Sequence, residues 1–134
     1  MTALIGQVIL VALSALSAVG TYLGDFDKHH IFNSRWSDHA RFHAAAYAIL
    51  NIQLALLALV LCAFTPFGFR VSLQLGSVIL LIMGITLFLA ATVRGTSPIA
   101  GPHERIWAKV PLALWINVVY LGVLALGSWC ALCG

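Results

Sequence analysis

Residues 44–93 have the sequence AAAYAILNIQLALLALVLCAF-TPFGFR-VSLQLGSVILLIMGITLFLAATV. Two apolar runs, 44–64 and 71–93, flank a short segment that opens with Thr-Pro-Phe-Gly. Each run is long enough to cross the roughly 30 Å hydrocarbon core of a membrane. Because proline and glycine favour tight turns, the two runs are expected to be neighbouring antiparallel helices. This stretch therefore predicts a helical hairpin within a membrane.

Two further apolar runs flank the hairpin, and the composition agrees with a membrane protein. Of the 134 residues, 62% are hydrophobic and 8% are charged. Polar side chains of an isolated helix cannot be satisfied in lipid, so the helices should pack together. We predict an all-α fold, an integral membrane four-helix antiparallel bundle that forms one transmembrane domain. Its spans are expected at approximately residues 2–22, 44–64, 71–93 and 110–130.

The charges concentrate in two predicted loops, residues 25–43 and 94–109, which this topology places on one side of the membrane. These loops hold all five histidines, all four carboxylates and six of the seven Lys and Arg residues. The positive-inside rule predicts that this charged face is cytoplasmic and that both termini lie outside. The fourth helix is expected to begin around residues 103–107.

The second helix carries the clearest polar pattern. Ser37 is the expected N-cap and Asp38 the expected first residue. Side chains at every fourth position then form a polar stripe, which should face the bundle interior because a lipid-facing stripe is costly. Small polar groups on the other helices lie at matching depth, which would suit a polar-floored cavity that opens at the charged face. For Ser14, Ser17 and Thr86 we favour hydrogen bonds that only hold the bundle together, and for Asn51, with His43 and Tyr47 above it, we favour the pocket. The stripe comprises His39, His43, Tyr47 and Asn51, and the floor comprises Ser14, Ser17, Thr86 and Asn117.

These residues suit acid/base chemistry, because histidine changes charge near neutral pH. We expect His39 and His43 to transfer protons, with Asp25 or Asp38 orienting them or donating. Arg41 would stabilise developing negative charge. The expected substrate-binding residues are His30, Asn33, Arg35, Trp36, Tyr47, Asn51 and Asn117, and further acid/base candidates are His29, His103 and Glu104.

Other uses of the charged face remain open. Two histidines four residues apart can bind one metal ion, and basic side chains can hold anionic lipid headgroups. We expect no cofactor; a bound metal would have His39 and His43 as ligands, and bound haem would colour the protein. Proton-coupled export needs a membrane-embedded carboxylate, which no predicted span contains. Cys130 and Cys133 form a C-x-x-C that can be a redox pair, but we favour the interpretation that they are two small apolar residues at a helix end.

The run HHIFNSRWSDHARFH, residues 29–43, resembles a family of small four-helix membrane proteins of uncharacterised function. In that family the first loop has the pattern T-H-x-F-N-P-x-W-P-x-H-A-R-F-H. This chain has Ser34 and Ser37 where prolines are usual, and residues 95–104 look like a degenerate form of the family's second loop. The resemblance implies no activity. The matching residues are His30, Phe32, Asn33, Trp36, His39, Ala40, Arg41, Phe42 and His43.

The leading hypothesis is a membrane-embedded enzyme that acts on a lipophilic small molecule. The substrate would be a terpenoid, polyketide, sterol-like or quinone-like compound, and the reaction an acid/base isomerisation, cyclisation, hydration or epoxide opening. The alternative is a non-enzymatic membrane accessory subunit or a lipid-binding or metal-binding protein. The expected partners are the substrate and the lipid bilayer, with no nucleic acid, and a homo-oligomer is left open.

Overall fold

The computed structural model describes residues 1–94, 106–107 and 110–133. Four α-helices pack together, and within these described ranges each helix is long and apolar enough to cross a membrane. Around the bundle, α1 lies beside α2 and α4, and α3 lies beside α2 and α4. The predicted all-α four-helix membrane bundle is confirmed. The helices are α1 (Thr2–Asp25), α2 (Asp38–Phe64), α3 (Phe69–Ala91) and α4 (Leu112–Cys133).

The start of α2 follows from its capping residue, as the sequence predicts. The Ser37 hydroxyl accepts a hydrogen bond from the backbone N–H of Ala40 at 3.2 Å. This bond satisfies one of the N–H groups that a helix leaves without an internal partner. Asp38 lies in the first turn, where the helix dipole favours a negative charge. The cap fixes where the histidine-bearing turns of α2 begin.

The Thr-Pro-Phe-Gly segment forms the predicted tight turn between α2 and α3. Thr65 takes the left-handed conformation with φ 45°, and Gly68 has φ 87°, a region that glycine enters without steric cost. The Ser72 hydroxyl accepts a hydrogen bond from the Phe67 N–H at 3.0 Å and closes the turn from the α3 side. The two helices are therefore antiparallel neighbours, and both carry their other ends to the charged face.

The fourth helix begins later than the sequence analysis predicts. Residues Ile106–Trp107 pair antiparallel with Val110–Pro111, and α4 starts only at Leu112. The expected start around residues 103–107 is therefore wrong, because Trp107 belongs to a short strand rather than to the helix. Proline lacks a backbone N–H and holds the preceding residue in extended conformations, so Pro111 keeps Val110 out of a helix. Most of the second predicted loop, including His103 and Glu104, lies outside the described residues.

Close contact between α1 and α4 depends on two glycines. A Cβ atom at Gly6 would lie 2.2 Å from the backbone nitrogen of Ala131, and one at Gly127 would lie 2.7 Å from a methyl carbon of Ile9. Membrane helices gain no hydrophobic energy from leaving lipid, so they associate through such close packing. The two glycines therefore set the distance between these helices.

Candidate functional site at the charged face

Asp27 organises the first part of the loop between α1 and α2. Its Oδ1 accepts hydrogen bonds from the backbone N–H groups of His29 and His30, both at 2.9 Å. The same oxygen lies 2.9 Å from Nδ1 of the His30 ring. An aspartate that binds backbone N–H groups two and three residues ahead holds the chain in a turn. Asp27 is therefore a structural residue of this loop, although it is not among the candidates predicted from the sequence.

The charge of Asp27 gives the loop a pH dependence. Burial acts to raise the pKa of this carboxyl, but the hydrogen bonds from the His30 ring and the two backbone N–H groups, with the charge of His30, together lower it. A carboxyl whose folded-state pKa is lowered stabilises the fold above its ordinary pKa, and that stabilisation is lost as the pH falls through the lowered value.

We therefore expect the amide protons of His29 and His30 to lose hydrogen-exchange protection as the pH falls below the ordinary aspartate pKa of 3.8. Protection factors, which correct for the intrinsic pH dependence of exchange, measure this directly. Asp27→Asn keeps an acceptor oxygen but removes the charge, so its protection factors should not change over the same range. An equal loss of protection in wild type and variant would contradict the assignment.

Asn33 organises the second part of the same loop. Its side-chain nitrogen donates to the His29 carbonyl at 2.9 Å, and its side-chain oxygen accepts from the Arg35 N–H at 3.0 Å. The rings of His30 and Trp36 meet edge to face at a centroid distance of 6.5 Å. Four residues of this loop are predicted to bind substrate. Three of them make contacts within the loop itself and the fourth, Arg35, is exposed; the three are His30, Asn33 and Trp36.

His39 and His43 form a direct pair on the first turns of α2. Their Nε2 atoms are 3.1 Å apart, and the rings are nearly perpendicular with centroids 4.5 Å apart. Both residues are exposed, and the ring of Phe42 packs edge to face against His43 at 5.5 Å. For the contact to be a hydrogen bond, one Nε2 must carry a proton and the other must offer its lone pair. In that tautomer one proton lies between the two exposed imidazoles.

The predicted inward-facing stripe is correct only at its deep end. Asn51 is buried with 9% of its surface exposed, whereas Tyr47 is 47% exposed. Because an α-helix turns 100° per residue, each four-residue step advances about 40° around the axis. Over three steps the stripe rotates by about 120°, so it faces outward at the two histidines and inward at Asn51. The expectation that His39, His43 and Tyr47 face the interior is wrong.

The carboxylates expected to assist the histidines lie elsewhere. Asp38 pairs with Arg41 one turn along α2, and by helical angle this ion pair lies on the other side of the helix from the histidines. Asp25 ends α1, partly buried, and its backbone carbonyl accepts from the Ile31 N–H at 3.1 Å. In the described part of the chain no carboxylate contacts either imidazole of the pair. Arg41 is likewise not placed to stabilise charge beside them.

The polar groups deeper in the bundle bind backbone rather than line a cavity. Ser14, Ser17 and Thr86 each donate to the carbonyl four residues earlier in their own helix, at 2.7–2.8 Å. Asn117 donates to the Gly84 carbonyl at 2.6 Å and so joins α4 to α3. These four groups are therefore satisfied by backbone carbonyls and do not form the floor of a cavity.

A groove of about 400 Å³ lies between α3 and α4, around the middle of the bundle. Its wall is almost wholly apolar, and its two polar members, Ser77 and Ser128, bond to each other at 3.0 Å. No residue of α2 lines the groove, so it does not match the cavity expected beneath the histidines.

Two residues with structural importance are absent from the sequence-based candidates. Tyr120 donates from its hydroxyl to the Leu80 carbonyl at 3.0 Å, one turn beyond the Asn117 contact. Its spacing of three residues from Asn117 places both on one face of α4, which is the signal that identifies it. The signal for Asp27 is an aspartate within a predicted loop, because its carboxylate can accept hydrogen bonds from the backbone N–H groups two and three residues ahead.

Comparison with curated proteins and with solved structures finds no match to this chain. One family model does match, over residues 9–128, which include all of α2 and α3 and the histidine-bearing loop. The match covers well over half of the chain. The chain therefore belongs to DUF6640, a family of unknown function.

Proposed function

We propose that this protein is a membrane enzyme that uses the His39–His43 pair for acid/base chemistry on a lipophilic small molecule. The observation that carries the proposal is the 3.1 Å separation of the two Nε2 atoms. In the hydrogen-bonded tautomer one Nε2–H can give its proton to a substrate, the other Nε2 can take a proton from the substrate or from water, and that proton can then pass across the pair to restore the first imidazole. Proton transfer by a positioned histidine accelerates a reaction about 10²- to 10⁴-fold.

The surroundings of the pair favour a substrate that arrives from the bilayer. Phe42 and Tyr47 are exposed on the same stretch of α2, and Phe32 and Trp36 are exposed in the adjoining loop. Aromatic side chains of this kind sit at the headgroup level of a membrane. A terpenoid, polyketide, sterol-like or quinone-like molecule would place its polar end at that level and its apolar body among the lipid tails. The polar end would then meet the two imidazoles without entering a deep pocket.

The reaction class is one that changes bonds by adding and removing protons: isomerisation, cyclisation, hydration or epoxide opening. Where such a reaction protonates carbon, as in a double-bond shift, a protonation-initiated cyclisation or a hydration, it fixes a solvent proton on carbon. Where water opens an epoxide, it fixes a solvent oxygen. No cofactor is part of this proposal, and the two histidines need none to exchange a proton.

The experiment follows those solvent atoms without requiring a known substrate. The purified protein in lipid nanodiscs is incubated with a lipid extract of the organism that encodes it, once in ²H₂O and once in H₂¹⁸O. Mass spectrometry should detect at least one lipophilic compound labelled only in the presence of the protein. Empty nanodiscs are the control. Labelling equal to that of empty nanodiscs would overturn the enzyme proposal and favour an accessory subunit or a binding protein.

We also propose that the charged face is cytoplasmic and that both termini lie outside, because the basic residues concentrate in the loops of that face. Cys133 is exposed at the end of α4, whereas Cys62 is buried. In intact cells a membrane-impermeant maleimide should therefore label the wild type from outside, and Cys130→Ser/Cys133→Ser should remove the signal. Labelling that appears only after the cells are permeabilised would reverse the orientation.

A further inference from the structure

We propose that His39 and His43 together chelate one divalent transition-metal ion through their Nε2 atoms. The site concerns the same two side chains as the proposed activity but does not depend on it. An ion and the shared proton would compete for the same two nitrogens, so metal binding can be measured whether or not the protein has a substrate.

The distance between the two nitrogens matches what one ion requires. Nitrogen ligands of histidine lie about 2.0–2.1 Å from zinc, so two of them on one ion are about 3.0 Å apart at right angles and about 3.4 Å apart in a tetrahedron. The observed 3.1 Å lies between these values. The two nitrogens are therefore already at a separation that one ion can bridge, once both lone pairs turn toward it.

The pair is also open to an ion. Both residues are exposed, and the nearby carboxylates of the loop and of α2 are already used, Asp27 by His30 and Asp38 by Arg41. No group of three or more potential metal ligands occurs among the described residues. The ion would therefore be held by two imidazoles, with water molecules in its remaining coordination positions. Imidazole ligands suit Zn²⁺, Ni²⁺ and Cu²⁺, whereas Mg²⁺ and Ca²⁺ prefer oxygen.

The test is a calorimetric titration of the full chain with Ni²⁺ alone, after removal of any purification tag. The chain carries Cys130→Ser/Cys133→Ser, so that no thiolate at the other end of the bundle contributes. We expect one saturable site. Because a second linked ligand strengthens binding by effective concentration, either His39→Gln or His43→Gln should weaken it at least about tenfold. The double variant should show no saturable binding.

His29→Gln is the matched control, since His29 is an exposed histidine of the same face whose ring contacts no partner among the described residues. It should bind Ni²⁺ as tightly as the parent chain. A thermal melt of each variant without metal shows whether it is folded, and added Ni²⁺ should raise the melting temperature only where both histidines are present. Equal affinity in the double variant, or no saturable site in the parent chain, would overturn the proposal.

Discussion

Gly6→Ala should destabilise the bundle more than the same change at either of the other two glycines of α1. The new Cβ would lie 2.2 Å from the backbone nitrogen of Ala131 and 2.6 Å from the carbonyl oxygen of Gly127. Backbone atoms cannot rotate away as a side chain can, so α1 and α4 must separate and lose their packing. Overpacking costs about 1–3 kcal/mol where side chains can adjust, and we expect the upper end of that range or more.

Gly20→Ala provides the matched control on the same helix, because a Cβ there meets no atom within 4 Å. Alanine is the better helix former by about 1 kcal/mol in water, so this variant should be as stable as the wild type or slightly more stable. The midpoint of thermal unfolding in one detergent measures both variants. Equal midpoints for the two would mean that α1 and α4 do not approach each other as closely as the structure has them.

The second large effect is expected on catalysis. His39→Gln and His43→Gln should each lower the rate of solvent-label incorporation about 10²- to 10⁴-fold, because each removes one member of the proton-sharing pair. A loss confined to the chemical step lowers kcat and leaves KM nearly unchanged. Both residues are exposed, so the variants should unfold at the wild-type temperature. His29→Gln should keep the wild-type rate, and a variant that raised KM alone would assign its histidine to binding.

Hydropathy was sufficient to predict the four helices, since each apolar run must satisfy its backbone within itself when it crosses lipid. Local chemistry was sufficient at Ser37 and at the Thr-Pro-Phe-Gly turn, where short-range hydrogen bonds decide the conformation. Pro111 carried an equally local signal for the start of α4, which a hydropathy window passes over because Ile106 and Trp107 are apolar.

The site was harder to predict because it depends on angles and on pairings. The four-residue repeat of α2 describes a stripe that rotates around the helix, and only the packed bundle shows that Asn51 lies inside and His43 outside. Spacing also cannot show which partner a side chain selects. Asp38 takes Arg41 rather than a histidine, and Asn117 takes the Gly84 carbonyl rather than a substrate.

The most direct test of the paired histidines as the active part of the charged face is the rate of solvent-label incorporation in His39→Gln/His43→Gln. When two residues act as a unit, the effects of mutating them do not add, so removing both should lower the rate little more than removing one. If the two histidines act as one pair, the double variant should have the same residual rate as either single variant, in a bundle that melts at the wild-type temperature. Losses that multiply would show two independent residues, and a double variant that retained the wild-type rate would show that the histidines are not the active part of this face.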